Sequence, residues 1–557
     1  MNYNIKWLQS DYIEQINDKF IYFAILSKMK KGAFMQVKNV RTFMLSTGVL
    51  MLIGCSSSVD KVDLNQSVLK AQGWYELGKK AVEDKLSQKT FTTKRGAAKN
   101  IILFIGDGMG ISTVTASRIY AGQLRGESGE ENALSFGKFP VVGLSKTYNT
   151  DSQTPDSAGT MTAIITGVKT KKGMLSISSE ANVGDCKSSK GHELQTALEL
   201  AEMKGLSTGV VTTTRLTHAT PAATYAHVAS REWEHNSSIE NGCKDIASQF
   251  IDFSYGDGIE VAMGGGRREF MPNTAPKIEG KSGKRTDGRD LREEWKHKHP
   301  DGVYVETKAE FDALDVNKTK KLLALFNPSH MHYEADRKND KAGEPSLSEM
   351  TKKAIELLKK NEKGFFLMVE AGRIDHAHHA GNAFNALNET AELSKAVAVA
   401  DALTNDDDTL IVVTADHSHV FTMAGYPVRG NPILGKVKES DGKGGDKGYT
   451  LGADGKPFTT LGYANGRGFM DLKNETNAGE SYNHKIHKSG RVDLTNIDTE
   501  ATGFHQEVTV PYEYETHSGE DVAIYAKGPG AILFTGTNEQ NVIFHVMERM
   551  GDLKNRE

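Results

Sequence analysis

Four apolar runs constrain this chain more than any other feature. They are NIILFIGDGMG from Asn100, STGVVTTTRLTHATPA from Ser207, GFFLMVEAGRIDHAHH from Gly364 and DTLIVVTADHSH from Asp408. Each is apolar at consecutive positions, so both faces of the extended chain must be covered, as in a parallel strand buried between helices. Helical stretches such as SEMTKKAIELLKKN lie between the runs, and the alternation predicts an α/β fold. Each run then gives way to residues that ionise: Asp107, His218, Glu370 and Asp416. Ligands of open α/β sheets bind at the carboxyl ends of the strands, so separate segments deliver carboxylates and imidazoles to one edge.

A chain of 557 residues can bury a large core, and α/β enzymes of this length often run as one domain with insertions. Charged residues make up 25% and hydrophobic ones 38%, the balance of a soluble protein. A net charge of −4 gives no reason to expect a nucleic-acid partner. The basic residues between Lys281 and Arg292 are interleaved with acids and read as a solvated face.

The N-terminus reads as an export signal. A basic run, Lys38-Asn39-Val40-Arg41, precedes TFMLSTGVLMLIG and Cys55, which is too short for a membrane span. Leu52-Ile53-Gly54-Cys55 resembles the bacterial lipobox, with Cys55 lipidated. Residues 1–34 then form an upstream extension before a start at Met35, and 35–55 the lipoprotein signal peptide. Residues 56–97 are a tether with one helix, AQGWYELGKKAVEDKL; 98–550 are the main body, and 430–502, rich in Gly, Lys and Asn, an insertion within it. The expected location is that of an exported lipoprotein. Ser56 after the cysteine favours the outer membrane, facing periplasm or cell surface. Cys186 and Cys243 remain, either as one disulfide or as two free thiols. Neither has CxxC spacing, which argues against a thiolate zinc site.

The polar residues at the strand ends have metal-binding chemistry. Asp375 and His379 are four apart and share a face if the chain turns helical after Gly372. Asp416 and His417 are adjacent, His419 follows, and His517 comes from ETHSGED. These residues suit zinc, while Asp107, Thr220 and Glu370 offer the oxygen ligands magnesium prefers. His376 and His378 read as outer residues. In TPDSAGTMTA, Asp156 and Ser157 stand at a loop-to-helix junction. Capping alone would explain them. Beside metals, however, the Ser157 hydroxyl becomes a nucleophile, and the helix end favours an anion. Arg231 in HVASREW is the candidate for a bidentate grip on phosphate oxygens.

Those segments, with LSKTYNTDSQTPDSAGTMTA, VVTADHSHVFTMAGYPVRG and THSGEDVA, make the chain resemble alkaline phosphatases, nearer the animal-type enzymes than the short enterobacterial one. The similarity runs from Trp74 to Met550. It implies a three-layer sandwich with a large, mostly parallel central sheet and a small crown-like subdomain at 430–502. It implies hydrolysis of phosphate monoesters at alkaline pH through a phosphoserine at Ser157, with Arg231 as phosphate clamp. Two zinc ions and one magnesium ion per subunit are implied: Asp375, His379 and His517 at the first zinc, and Asp107, Asp416 and His417 at the second. Asp107, Thr220 and Glu370 serve the magnesium, with His218 near it and His419 near the zinc pair. Cys186 and Cys243 match a disulfide of the animal enzymes, and the helix at Trp74 an arm that embraces a second subunit, so a homodimer is implied.

The chain also departs from the family pattern. Of the animal calcium site, Glu279 and the Phe326 carbonyl have counterparts, but Asn327 stands where a glutamate is usual and Glu344 where an aspartate is. One carboxylate fewer weakens calcium binding. Ala371 replaces a usual glycine beside Glu370, and the anchor is an N-terminal lipobox rather than a C-terminal lipid signal. A phosphodiesterase on the same scaffold is the alternative. A sulfatase would need a modified Cys or Ser in a Cys/Ser-x-Pro-x-Arg setting, which PDSAGT is not. A binding lipoprotein without turnover has no use for a nucleophile beside metals.

Overall fold

The computed structural model describes residues 71–87, 97–239, 243–474 and 484–554. The upstream extension, the signal peptide with Cys55, and the tether apart from one helix lie outside them.

A ten-stranded sheet organises the fold. Its strands are β1 (Asn100–Gly106), β2 (Val141–Lys146), β3 (Ser207–Arg215), β4 (Val261–Gly265), β5 (Val303–Val305), β6 (Leu322–Leu325), β7 (Phe365–Ala371), β8 (Thr409–Ala415), β9 (Val522–Lys527) and β10 (Gly536–Glu539). They lie in the order β10-β2-β9-β8-β1-β7-β3-β4-β6-β5. All pairings are parallel except those of β9, which runs antiparallel to both β2 and β8.

The continuous apolar runs are explained by two cores. Ile101, Leu103 and Ile105 of β1 point into one, and Ile102 and Phe104 into the other. Leu410 and Val412 of β8 join the first, Ile411 and Val413 the second. Each fully buried side chain of this size contributes about 1.5–3 kcal/mol, which fixes the sheet between its helices. One layer holds α3 (Ser157–Thr166) and α7 (Val542–Met550); the other holds α4 (Leu347–Leu358) and α6 (Ala383–Leu403). The three-layer α/β architecture is thus the one expected.

Of the remaining helices, α1 (Ala71–Ser87) realises the predicted amphipathic segment. Its Trp74 is buried, its Trp74 carbonyl accepts from Asn541 Nδ2 at 2.6 Å, and Tyr75 Oη donates to Glu548 at 2.9 Å, so it docks on α7 of its own chain. Helix α2 (Ile111–Gln123) packs Ala116, Ile119 and Tyr120 against Ile433, Leu434 and Leu461 of the inserted region. Among its described residues that region has short strands, of which Leu461–Gly466 is the middle of a three-stranded sheet, and it exposes Tyr449 and Leu451. Cys186 and Cys243 form a disulfide, with Cα atoms 5.8 Å apart.

Most of the Lys281–Arg292 stretch is solvent-exposed as expected, and Arg285 is the charged exception. Arg285 is fully buried and donates to both oxygens of Asp245, at 2.9 and 3.1 Å, so its charge is matched inside the protein.

Candidate active site

Strand register brings the ionisable residues level. Gly106 of β1 lies opposite Ala371 of β7 and Ala415 of β8, and Ile105 lies opposite Glu370. Asp107 and Asp416 therefore leave the sheet side by side at its carboxyl edge. Glu370 lies one residue inside β7 rather than beyond it, facing Thr212 and Thr214 of β3; Thr214 Oγ1 donates to Glu370 Oε2 at 3.1 Å. The chain turns helical after Gly372, as expected, and α5 (Arg373–His379) puts Asp375 and His379 on one face. Because β9 is antiparallel, the residues before it lie at the same edge, and a two-residue strand pairs His517 with His419.

Ser157 opens α3, and Asp156 caps it, accepting from Gly159 N at 3.1 Å and from Gly173 N at 3.0 Å. The carboxylate is a cap and the hydroxyl is something more. Ser157 Oγ lies 3.3 Å from Asp107 Oδ1 and 3.0 Å from His417 Nε2. Asp156 also holds Arg231, at 3.3 Å, and the other arm of that guanidinium donates to His218 Nε2 at 3.0 Å.

Three groups of atoms ask for cations. The first surrounds Asp375 Oδ1, which lies 3.3 Å from His379 Nε2, 2.8 Å from His419 Nε2 and 3.3 Å from His517 Nε2. His379 Nδ1 donates to the Glu515 carbonyl at 2.6 Å and His517 Nδ1 to the Pro155 carbonyl at 2.8 Å. The two Nε2 atoms stand 3.0 Å apart, and against its burial Asp375 and Glu515 raise the His379 imidazole well above its ordinary value; a metal ion between the nitrogens would take the place of that proton. The second group is His417 Nε2 with Asp107 Oδ1 at 3.3 Å and Asp416 Oδ2 at 3.4 Å. The third consists of Asp107 Oδ2, Thr220 Oγ1 and Glu370 Oε1, all buried and all without a hydrogen-bond partner. Buried polar atoms are rarely left so, and these are hard oxygen donors of the kind magnesium takes.

The acids and bases respond to this crowding. Burial, and then the neighbouring Asp416, push the Asp107 carboxyl well above the usual range. Burial pushes Glu370 up to about 7. Burial opposes charge on Asp375 too, but the surrounding imidazoles of His379, His419 and His517 hold it well below its ordinary value. Burial keeps the His417 and His517 imidazoles neutral, the form that ligates metal.

His218 is a donor rather than a ligand. Arg231 can only donate to its Nε2, so its proton sits on Nδ1, which is buried and unpartnered beside Asp107 and Glu370. His419 spans Asp375 and Glu515, with Nδ1 2.6 Å from Glu515 Oε2. His378 is held by Thr113 at 3.0 Å and Tyr463 at 2.9 Å, and His376 meets His218 and His330 edge-on and accepts from Arg373 at 2.8 Å, so both are engaged outside the metal groups. Sequence reasoning missed Glu515, Thr212, Thr214 and His330. Only the alternation of Thr212 and Thr214 on one strand face hinted at any of them.

The calcium candidates are otherwise engaged. Glu279 accepts from the buried Arg267 at 2.7 Å. Asn327 Nδ2 donates to Glu344 Oε1 at 2.8 Å, and its Oδ1 accepts from Ser329 N at 2.9 Å. A guanidinium and an amide N–H thus occupy oxygens that a calcium shell would need. Phe326 is buried at the end of β6.

Comparison with known proteins agrees with this geometry. The family model for alkaline phosphatase matches residues 98–553. The tissue-nonspecific alkaline phosphatase of Gallus gallus is 45% identical over 488 residues, covering 85% of this chain and 88% of that protein. The tissue-nonspecific enzyme of Homo sapiens is 44% identical over 465 residues, covering 81% and 83%. Among solved structures, the alkaline phosphatase of Thermus thermophilus superposes with a TM-score of 0.58 at 24% identity, covering 85% of this chain and 95% of that one. A mutant alkaline phosphatase from TAB5, described with Mg bound in its M3 site, superposes with a TM-score of 0.55 at 23% identity, covering 82% and 99%.

Proposed function

The chain belongs to the alkaline phosphatase family and hydrolyses phosphate monoesters, and on that premise we propose that Ser157 is its nucleophile and Arg231 its phosphate clamp. The observation that carries this reading is the position of Ser157 Oγ, at the head of α3 and within 3.3 Å of both Asp107 Oδ1 and His417 Nε2.

Asp375, His379 and His517 would hold one zinc ion, and Asp107, Asp416 and His417 a second. Asp107, Thr220 and Glu370 would hold a magnesium ion, with the His218 Nδ1–H left to donate beside it. A zinc pair held there would supply activation of the attacking oxygen and neutralisation of charge on the leaving one. The protein's own groups do the rest. Asp156 and His218 fix the Arg231 guanidinium so that its remaining N–H donors meet two phosphoryl oxygens. The positive end of α3 favours the charge gathering near Ser157. The Ser157 oxygen bonds to phosphorus as the ester P–O bond breaks, and the alcohol departs with a proton. Water then attacks the phosphoserine, the Oγ–P bond breaks, and phosphate leaves. A monoester dianion matches the guanidinium and cations better than a diester with one charge fewer, which favours this reading over a phosphodiesterase.

The test is aryl phosphate hydrolysis at alkaline pH by the metal-loaded chain, by the chelated chain and by Ser157→Ala. Both losses should reach roughly 10³-fold or more. Near-wild-type turnover by Ser157→Ala would remove the phosphoserine, and faster cleavage of diesters than monoesters would remove the monoesterase.

The same proposal includes the setting. Among the described residues no helix is long and apolar enough to cross a membrane. Anchoring is assigned to lipid on Cys55, which places the enzyme as an exported lipoprotein at the outer membrane. It is assigned a homodimeric state on the family's pattern. Labelled fatty acid incorporated by the wild type and absent from Cys55→Ala checks the anchor, and sedimentation checks the dimer.

A further inference from the structure

Beyond the end of β6, and apart from the catalytic groups, the chain gathers a second kind of donor set. His332, Asp340 and Glu344 each turn one ligand atom toward the others, all within 4.8 Å. His332 Nδ1 lies 3.1 Å from Glu344 Oε1 and 3.8 Å from Asp340 Oδ1. Glu344 is fixed from both sides: Asn327 Nδ2 donates to Oε1, and the His332 backbone N–H donates to Oε2 at 2.8 Å. Asp340 is the anomaly. Its side chain is 6% exposed, yet its buried Oδ2 has no hydrogen-bond partner. Burial and then Glu344 hold the Asp340 carboxyl above the usual range, although His332 and the Gly343 and Ala342 amides favour its charge, and the unpartnered Oδ2 leaves room for a cation.

We propose that His332, Asp340 and Glu344 bind a further divalent metal ion of the zinc class, separate from the three catalytic ions and in place of a calcium ion.

The donor chemistry chooses the metal. One imidazole nitrogen and two carboxylate oxygens, with water as the fourth ligand, form a tetrahedral set suited to zinc. Two carboxylates balance the charge of a divalent ion. Zinc bonds of about 2.0–2.2 Å place tetrahedral ligands about 3.3–3.5 Å apart, close to the 3.1 and 3.8 Å already present. Calcium wants six to eight oxygens. Here Glu279 is committed to Arg267, Asn327 turns an N–H toward the site, and an imidazole stands where an oxygen would be needed. The His332 side chain, 38% exposed, leaves a route for the ion to enter. The residue that removes a carboxylate, Asn327, is also the one that orients Glu344, so a hard-cation site is converted into a borderline one.

The full chain is equilibrated with buffered zinc, magnesium and calcium, and metal per subunit is measured by mass spectrometry for the wild type, Asp340→Asn and His332→Gln. Each variant should carry one zinc fewer than wild type, with kcat on an aryl phosphate within twofold, which also shows that it folds and keeps its catalytic metals. Equal zinc in all three, or calcium as the ion lost, overturns the proposal. Cobalt titration of the wild type is independent of any variant's folding. A further cobalt equivalent with a tetrahedral visible spectrum, absent when zinc is already present in excess, is expected; no such equivalent overturns it. An inactive wild type would bear on the catalytic reading alone, since the metal count is a difference between chains.

Discussion

Asp156 is asked to do two things, and two substitutions separate them. Its oxygens accept from Gly159 and Gly173, and one of them also meets Arg231 at 3.3 Å. Asp156→Ala removes the cap of α3, worth about 1 kcal/mol. It also strands the Gly173 N–H, which adds about 1–3 kcal/mol where that group stays dry. The expected loss is thus about 2–4 kcal/mol. Asp156→Asn keeps an acceptor for both amides, and asparagine caps as well as aspartate, so its loss stays below about 1 kcal/mol. Asparagine nevertheless presents a neutral amide to Arg231, and a guanidinium held by His218 alone should raise KM for an aryl phosphate about tenfold, equivalent to about 1.4 kcal/mol. Urea unfolding with zinc and magnesium in constant excess reads the first quantity, and steady-state kinetics the second. If the alanine chain were as stable as the asparagine chain, the cap would carry no weight. If the asparagine chain bound substrate as the wild type does, Asp156 would not be positioning Arg231.

Three further outcomes are expected. Burial, and then Glu260 beside it, raise the Glu202 carboxyl from 4.5 to about 8. A raised folded value means that Glu202 favours folding fully below pH 4.5 and ceases to as pH climbs through about 8. Melting temperature followed across that window should fall less steeply for Glu202→Gln than for wild type, and parallel curves would contradict the assignment. Glu515→Gln loses the charge facing His419 and should weaken zinc retention about 10–100-fold against a chelator, with unchanged retention the contrary result. Gly108 has φ +69° and a Cβ there would strike the His419 ring, so Gly108→Ala should lose activity even at saturating metal; normal activity would show that the ring can move.

Strand identity was legible because consecutive apolar residues have one economical home. The runs at Ile101, Val210, Phe366 and Leu410 are the centre of the sheet. Edge position was legible for Asp107 and Asp416 for the same reason, since parallel strands end together. The direction of β9 was not, because local pattern is the same for either orientation. His517 was a zinc candidate by residue type, but its place at the first zinc came with the family resemblance, and the reason it reaches this edge appears only with the antiparallel pairing. Supporting groups such as Glu515, Thr212 and the Pro155 carbonyl were silent, because a carbonyl or a threonine has no signature until its partner is known. Arg285 misled in the opposite way: a charged run looks solvated until one of its members is found facing Asp245.

The pairing of His517 with His419 also sets an order in time. A growing chain carries Asp107, Ser157 and His379 long before His517 is made, and until then the imidazole opposite His379 is missing. On the proposed roles such a chain has a nucleophile without a complete metal cradle, and it is expected to be inert towards phosphate esters. On those roles, catalysis waits for one of the last segments of the chain to reach the site, with Gln540 beyond it donating to the Asp416 carbonyl at 2.6 Å.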